Sequence, residues 1–187
     1  MTQSSNNNTD GDETISIKAP PNSNEAEQSL LGGLMLDNSA WDKIADIVVQ
    51  GDFYRKDHQI IFNGISKLIE SAEACDVVTL SEFLDNNGDL DSAGGLEYLA
   101  TLANETPGAA NAISYAKILR ERSVLRSLIN AGNEISGSAF NNDGRSAGEL
   151  VDNAERLVFE IAEKGARGKL GFQHLGQVLP STIDRIE

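Results

Sequence analysis

The chain has 187 residues and a formal net charge of −14, with aromatic residues at only 5% of the composition. That length suits one domain, or one domain with an appendage. So acidic a chain is a poor stand-alone nucleic-acid binder, because phosphate contacts need Lys and Arg. Cys75 is the only cysteine, which excludes an intramolecular disulfide and fits a reducing cytosol. No apolar run resembles a signal-peptide core or a membrane span, so a soluble cytoplasmic protein is expected.

In chain order, Met1 to Ser23 is polar, with an Asn run at Asn6 to Asn8 and prolines at Pro20 and Pro21. It cannot bury enough apolar surface to offset its ordering entropy and reads as disordered, with residues 1–20 as a tail ahead of the first domain. Asn24-Glu25-Ala26-Glu27 then opens a helix, with Asn24 as cap and Glu27 reaching back to it. Its buried face is Ala26, Leu30, Leu31 and Leu34. The pair Gly32-Gly33 inside that helix costs propensity and implies close passage of another helix.

Ser39 caps a second helix with Trp41, Ile44, Ile47 and Val48, stopped at Gly51. After the link Asp52-Phe53-Tyr54 a third helix carries Ile61, Phe62, Ile65, Leu68 and Ile69. Thr79-Leu80-Ser81-Glu82 reads as a capping box for a short helix ending at Asn87-Gly88. A fifth helix follows Gly94-Gly95 and carries Leu96, Leu99 and Leu102. These five short helices make a head over residues 21–106 around one small core. From Glu70 to Glu105 there are nine acidic residues and no Lys or Arg, which reads either as a solvated acidic surface or as a docking face for a basic protein.

Thr106-Pro107-Gly108 stops the head. Asn111 to Phe140 contains no proline, and Ile118, Leu125, Leu128, Ile129, Gly132, Ile135 and Ala139 recur at helical spacing. One helix of that length reaches roughly 45 Å, so part of it must project from a small head. After the turn Asn141 to Gly144, the capping box Ser146 to Glu149 opens a second amphipathic helix with Leu150, Ala154, Leu157, Val158 and Ile161 on one face. Residues 107–165 are therefore an antiparallel helical hairpin. Residues 166–187 form a linker, rich in glycine at its start. It is followed by a new apolar pattern of Phe172, Leu175, Val178, Leu179, Ile183 and Ile186 that is interrupted by Pro180 and still unfinished at Glu187. The fold class is all-α: a compact multi-helix head, a long antiparallel hairpin and a linker helix.

No catalytic constellation emerges. His58 and His174 lie in different segments, and one cysteine spells out no metal cluster. His58, at the start of a helix, reads as a hydrogen-bonded structural histidine. Gly165-Ala166-Arg167-Gly168-Lys169-Leu170 departs from a phosphate-binding loop, which needs glycine where Glu163 stands and Ser or Thr where Leu170 stands. Neither a catalytic, a cofactor-binding nor a metal-ligating residue is assigned.

An ordered set of residues nevertheless points to a family: Pro21, then Glu25-Ala26-Glu27-Gln28-Ser29-Leu30-Leu31-Gly32-Gly33-Leu34-Met35-Leu36-Asp37; Asp52-Phe53-Tyr54; His58; Ile61-Phe62; Asp76 with Val78-Thr79-Leu80; Gly94-Gly95; Tyr98-Leu99; Leu102-Ala103; Asn111; and Tyr115-Ala116. This set closely resembles the N-terminal domain of the bacterial replicative DNA helicases of the DnaB family, from about Pro20 onward. The resemblance implies a collar domain acting in DNA replication, paired through its hairpins within a hexameric ring, docking primase, with a helicase loader as a further candidate partner. ATP, magnesium and 5'-3' unwinding would belong to a RecA-like C-terminal domain, and no cofactor is expected for the present residues. The alternative is a generic all-α dimerisation or adaptor module unrelated to replication.

On that resemblance Glu25, Tyr98, Arg126, Ile129 and Ile135 are candidate primase contacts. Tyr98 brings aromatic contact area, and Arg126 a charge-assisted hydrogen bond beside an apolar contact. A helical apolar stripe more often faces a core, which applies to Ile129 and Ile135. Ile118, Leu125, Leu128, Leu157, Val158 and Ile161 are candidate dimerisation residues, because the two hairpin stripes cover each other only partly. Leu175, Val178, Leu179, Ile183 and Ile186 are candidates for docking on a neighbouring subunit.

Overall fold

The computed structural model describes residues 19–166, and all regular structure among them is helical. Helices α1 (Asn24–Leu36), α2 (Trp41–Ile44), α3 (Lys56–Glu70), α4 (Val77–Asn86) and α5 (Gly95–Glu105) build the head. Helices α6 (Ala112–Phe140) and α7 (Ala147–Ala166) build the hairpin. Residues 1–18 and the candidate docking residues of the linker, Leu175, Val178, Leu179, Ile183 and Ile186, lie outside the described residues.

The head closes around α1. Leu30, Leu31 and Leu34 are fully buried, together with Ile44, Phe53, Ile61, Ile65, Leu80 and Leu99 from the surrounding elements. Each such side chain stabilises the fold by about 1.5–3 kcal/mol through area removed from water. Phe62 packs its ring against both Phe53 and Trp41, at centroid distances of 4.8 and 5.5 Å. The glycine pair of α1 does what its sequence context implied. A Cβ on Gly32 would lie 2.2 Å from the Leu102 carbonyl oxygen, and one on Gly33 would lie 3.3 Å from Ala109 Cα. Helix α5 and the segment after it thus ride directly on the backbone of α1.

Three helix starts differ from the sequence reading, each because a neighbouring oxygen wins the cap. Ser23, read as part of the disordered stretch, caps α1 by accepting from the Ala26 N–H at 3.4 Å, and Asn24 is already helical. Asp37, not Ser39, caps the 3-10 turn Asn38–Ala40, and α2 that follows is a single turn. Asp76, not Thr79, caps α4: its Oδ1 accepts from the N–H groups of Val78 and Thr79, both at 2.9 Å, while the Thr79 hydroxyl receives the Asp76 N–H at 2.8 Å. The box is intact but begins three residues earlier than read. Asn38 adds a tie between ends, since its amide bridges the Leu34 carbonyl and both backbone groups of Cys75.

Helix α6 is a 29-residue rod, about 44 Å long at 1.5 Å per residue. Its root lies against α1 and α2. The inward face there is Ala112, Ala116, Leu119, Arg120 and Ser123, not the stripe starting at Ile118, which is exposed. The stripe from Ile118 was the obvious one in the sequence, yet the face that meets the head is built from two alanines with Leu119, Arg120 and Ser123. Beyond the root, α6 packs on α7, whose half-buried face is Leu150, Ala154, Leu157 and Ile161. The hairpin turn uses left-handed backbone at Asp143 and Gly144, with φ of 49° and 79°. The expected capping box follows it: Ser146 N–H donates to Glu149 at 2.7 Å, and Glu149 N–H to the Ser146 hydroxyl at 3.3 Å.

Candidate protein-docking site

A buried polar junction lies where head meets hairpin. It starts at the connection from α2 to α3, where residues Gln50–Asp52 form a tight 3-10 turn. Asp52 steadies this turn by accepting the Val49 N–H at 2.9 Å. Its other oxygen receives Arg120 of α6 at 3.0 Å, and both side chains are more than nine-tenths buried. Arg126, two turns further along α6, donates to the Asp52 carbonyl at 2.6 Å and to the Pro21 carbonyl at 2.8 Å. Its guanidinium also lies over the Tyr54 ring, 5.6 Å from the centroid. Burial pulls the Arg126 pKa down, while the nearby carboxylates of Glu27 and Asp52 oppose that shift.

Glu27 organises the other side of the junction. The sequence reading gave it to the cap of α1. It is instead 1% exposed and turned into the head, where its carboxylate accepts the Tyr54 N–H at 2.6 Å and the Arg55 N–H at 3.4 Å. The same carboxylate lies 2.6 Å from Nδ1 of His58. Nε2 of His58 lies 2.6 Å from the Tyr98 hydroxyl, which also receives Gln28 Nε2 at 3.3 Å. The His58 and Tyr98 ring planes agree within 2°. His58 is fully buried with both nitrogens occupied, which is the structural role its position in the sequence suggested. Polar groups can be buried here because the hydrogen bonds replace the lost water.

The candidate contact residues fall on separate elements. Glu25 is exposed at the start of α1 and lines, with Gln28, Ser29, Leu102, Glu105 and Thr106, a groove of about 110 Å³ between α1 and α5. Tyr98 is half-buried beside it on α5, joined to that groove through Gln28, with Arg55 above its ring at 5.6 Å. Ile129 is exposed and Ile135 half-buried on α6. Arg126, read as a contact flanking Ile129, spends its donors on the chain's own backbone.

Among the candidate dimerisation residues, Ile118, Leu128 and Val158 are exposed, whereas Leu125, Leu157 and Ile161 are half-buried. The hairpin also exposes Phe140, Val151 and Phe159, which the sequence reading did not name; Phe140 is 87% exposed. Val151, Val158 and Phe159 recur at helical spacing, a second apolar stripe on α7 beside the one that meets α6. That second stripe was the available signal. Among the described residues no group of acidic, His or Cys side chains is arranged to hold a metal ion, and no helix is long and apolar enough to cross a membrane.

The described residues thus form an all-helical head joined through a buried polar junction to a projecting hairpin with exposed apolar side chains. A family model described as the DnaB-like helicase N terminal domain matches residues 19–121, and the chain belongs to that family. It is 42% identical over 174 residues to the replicative DNA helicase DnaB of Haemophilus influenzae, covering 93% of this chain and 37% of that protein. It is 35% identical over 173 residues to the replicative DNA helicase DnaC of Bacillus subtilis, covering 92% and 37% of the two chains. The chain thus spans little more than a third of the length of these relatives. Among solved structures it is similar to the N-terminal domain of DnaB helicase from Mycobacterium tuberculosis, with TM-score 0.73, 36% identity, and coverage of 76% of this chain and 99% of that one. A structure of a DnaB-like replicative helicase and its interactions with primase shares the fold, with TM-score 0.63 at 18% identity over 86% of this chain and 36% of that one.

Proposed function

We propose that this chain is the N-terminal collar part of a hexameric replicative DNA helicase in the bacterial cytoplasm, and that it pairs with itself through the hairpin and docks primase. Family membership carries the reading. The exposed apolar side chains of the hairpin support it, because bare apolar surface on a projecting element usually marks an interface. ATP- and magnesium-dependent 5'-3' unwinding belongs, in this reading, to a RecA-like domain outside the present residues. The acidic chain offers no phosphate cradle of its own, so the fragment alone is not an enzyme.

The primase site in this reading combines the Glu25 and Tyr98 end of the head with Ile129 and Ile135 of the hairpin. Arg126 contributes by holding the hairpin in place. A helicase loader is a further partner of the same class of surface.

The test is titration of the labelled chain with the C-terminal helical domain of primase. Glu25→Ala and Ile129→Ala are expected to weaken binding by about 1–2 kcal/mol each, the range of interface hot spots, with melting unchanged because both side chains are exposed. Absence of binding by the unaltered chain at any attainable concentration would remove the docking role. Unaltered binding by both variants would move the site elsewhere.

A further inference from the structure

We propose that the seating of the hairpin on the head is set by a buried hydrogen-bond relay running from Tyr98 through His58 and Glu27 to the 49–55 connection and on to Arg126 and Arg120. Tyr98, on α5, is in this view a positioning residue for α6, a helix it need not touch.

The apolar contacts at the root of α6 are made by the fully buried Leu119 and by two small side chains, Ala112 and Ala116. Hydrophobic attraction is itself non-directional, and hydrogen bonds add direction to it. Most of those at the root converge on one short connection: Arg120 reaches the Asp52 carboxylate, and Arg126 reaches the Asp52 carbonyl and lies over Tyr54, with one further bond from Arg126 to the Pro21 carbonyl ahead of α1.

That connection is itself held by the Glu27 carboxylate on the N–H groups of Tyr54 and Arg55. Glu27 is aimed by His58, and the His58 ring is held at its other end by the Tyr98 hydroxyl, 2.6 Å from its second nitrogen. Remove that hydroxyl and Nε2 of a fully buried ring is left without its partner, a penalty the ring can relieve only by turning away from Glu27. Glu27 then loses the geometry that holds Tyr54, and Arg126 loses the platform beneath it. The relay passes by hydrogen bonds from α5 to α3 to α1 to the connection, along the backbone from Tyr54 to Asp52, and by hydrogen bonds again to α6, in surroundings where unpaired groups are costly. A partner that draws on Tyr98 would change the hairpin's angle; that consequence rests on the docking reading above, while the relay itself does not.

Tyr98→Phe in the otherwise unaltered chain removes one oxygen and keeps the ring. Amide hydrogen exchange is read in the root of α6, residues 117–126, and in α4, which packs on α3 and α5. The expected result is exchange at least about fivefold faster at the α6 root with α4 changed by less than about twofold, because local opening is graded along a structure. Acceleration confined to α3 and α5, equal acceleration in α4 and α6, or no change would each overturn the relay. A second measurement uses urea unfolding of Tyr98→Phe, Arg126→Lys and the double variant. The double variant should be at least about threefold less destabilised than the product of the single effects, since distant independent sites otherwise multiply. Multiplicative behaviour within about 1.5-fold would overturn the relay as well.

Discussion

Glu27 and His58 lie 31 residues apart in the chain and 2.6 Å apart in the core. Around this pair the head acquires its directional order. One carboxylate serves an imidazole and two backbone N–H groups, and so joins α1, α3 and the connection between α2 and α3.

The size of a Glu27→Ala effect separates this role from the capping role that the sequence suggested. Loss of a cap contribution costs about 0.5–2 kcal/mol. Removing one partner of a buried hydrogen-bonded pair of this kind costs up to about 3–5 kcal/mol, because the groups left behind stay buried. Urea unfolding is expected to give the larger figure. Glu27→Gln, which keeps one acceptor oxygen, should fall between the two.

Gly32→Ala and Gly33→Ala test the contact between α1 and α5. Alanine improves helix propensity by about 1 kcal/mol at either position. At Gly32 the new carbon would lie 2.0 Å from Thr106 Oγ1 and 2.2 Å from a backbone oxygen, so the helices must separate. A net loss of about 1–3 kcal/mol is expected there from overpacking. At Gly33 the nearest atom is 3.3 Å away, and the change should be close to neutral. Thermal unfolding of the two variants side by side decides the matter. Equal stability would mean that the contact is softer than its geometry.

The cap of α4 gives a pH dependence of known sign. The Thr79 backbone N–H, with help from the Thr79 hydroxyl and the Val78 N–H, holds the Asp76 carboxyl below its ordinary value of 3.8. A depressed folded-state pKa adds stability that is complete above the unfolded value and disappears as pH falls through the folded one. A carbon-detected NMR titration should place the Asp76 midpoint below 3.8. Asp76→Asn should keep the cap, since Asn is an equally good N-cap, and should lose that part of the acid dependence. Asp76→Ala should cost about 1 kcal/mol at neutral pH.

What was legible in the sequence was whatever a short window can encode. The periodicities of α1, α3 and α7, the stop at Thr106 to Gly108 and the turn at Asn141 to Gly144 depend on near neighbours and reappear in the structure, whereas the second helix, read as far as Val48, ends at Ile44. The Gly32-Gly33 pair was readable as a crossing because two glycines inside an apolar helix have few other uses. The polar junction was not readable. Glu27, Asp52, Arg120 and Arg126 look like ordinary solvated charges in sequence, and each fits a local role such as a cap or a helix-face charge. Their partners are tens of residues away: 68 for Arg120 to Asp52 and 105 for Arg126 to Pro21. The inward face of α6 was misjudged for a related reason. Which face meets α1 and α2 is a tertiary fact, and that face includes two alanines and the polar Arg120 and Ser123, which a hydrophobic count passes over.

Self-association through the hairpin is the prediction with the most to decide. Half-burial divides the candidate residues. Leu157 and Ile161 belong to the face of α7 that packs on α6, so Leu157→Asp should loosen the hairpin itself as well as any pairing. Leu128 and Val158 are exposed, each by 55%, and their replacement leaves the intrachain packing intact. Sedimentation at tens of micromolar should show a dimer or larger species for the unaltered chain. Leu128→Asp and Val158→Asp should each weaken it at least about tenfold, equivalent to about 1.4 kcal/mol, because a buried unpaired carboxylate is costly at an interface. Circular dichroism and melting measured on the monomer should stay unchanged in both. Phe159→Asp should behave in the same way if the second stripe of α7 takes part, and should leave association untouched if pairing uses only α6. A strict monomer at millimolar concentration, or an unaltered association constant in folded Leu128→Asp and Val158→Asp, would show that the bare apolar side chains of the hairpin serve something other than a second copy of this chain.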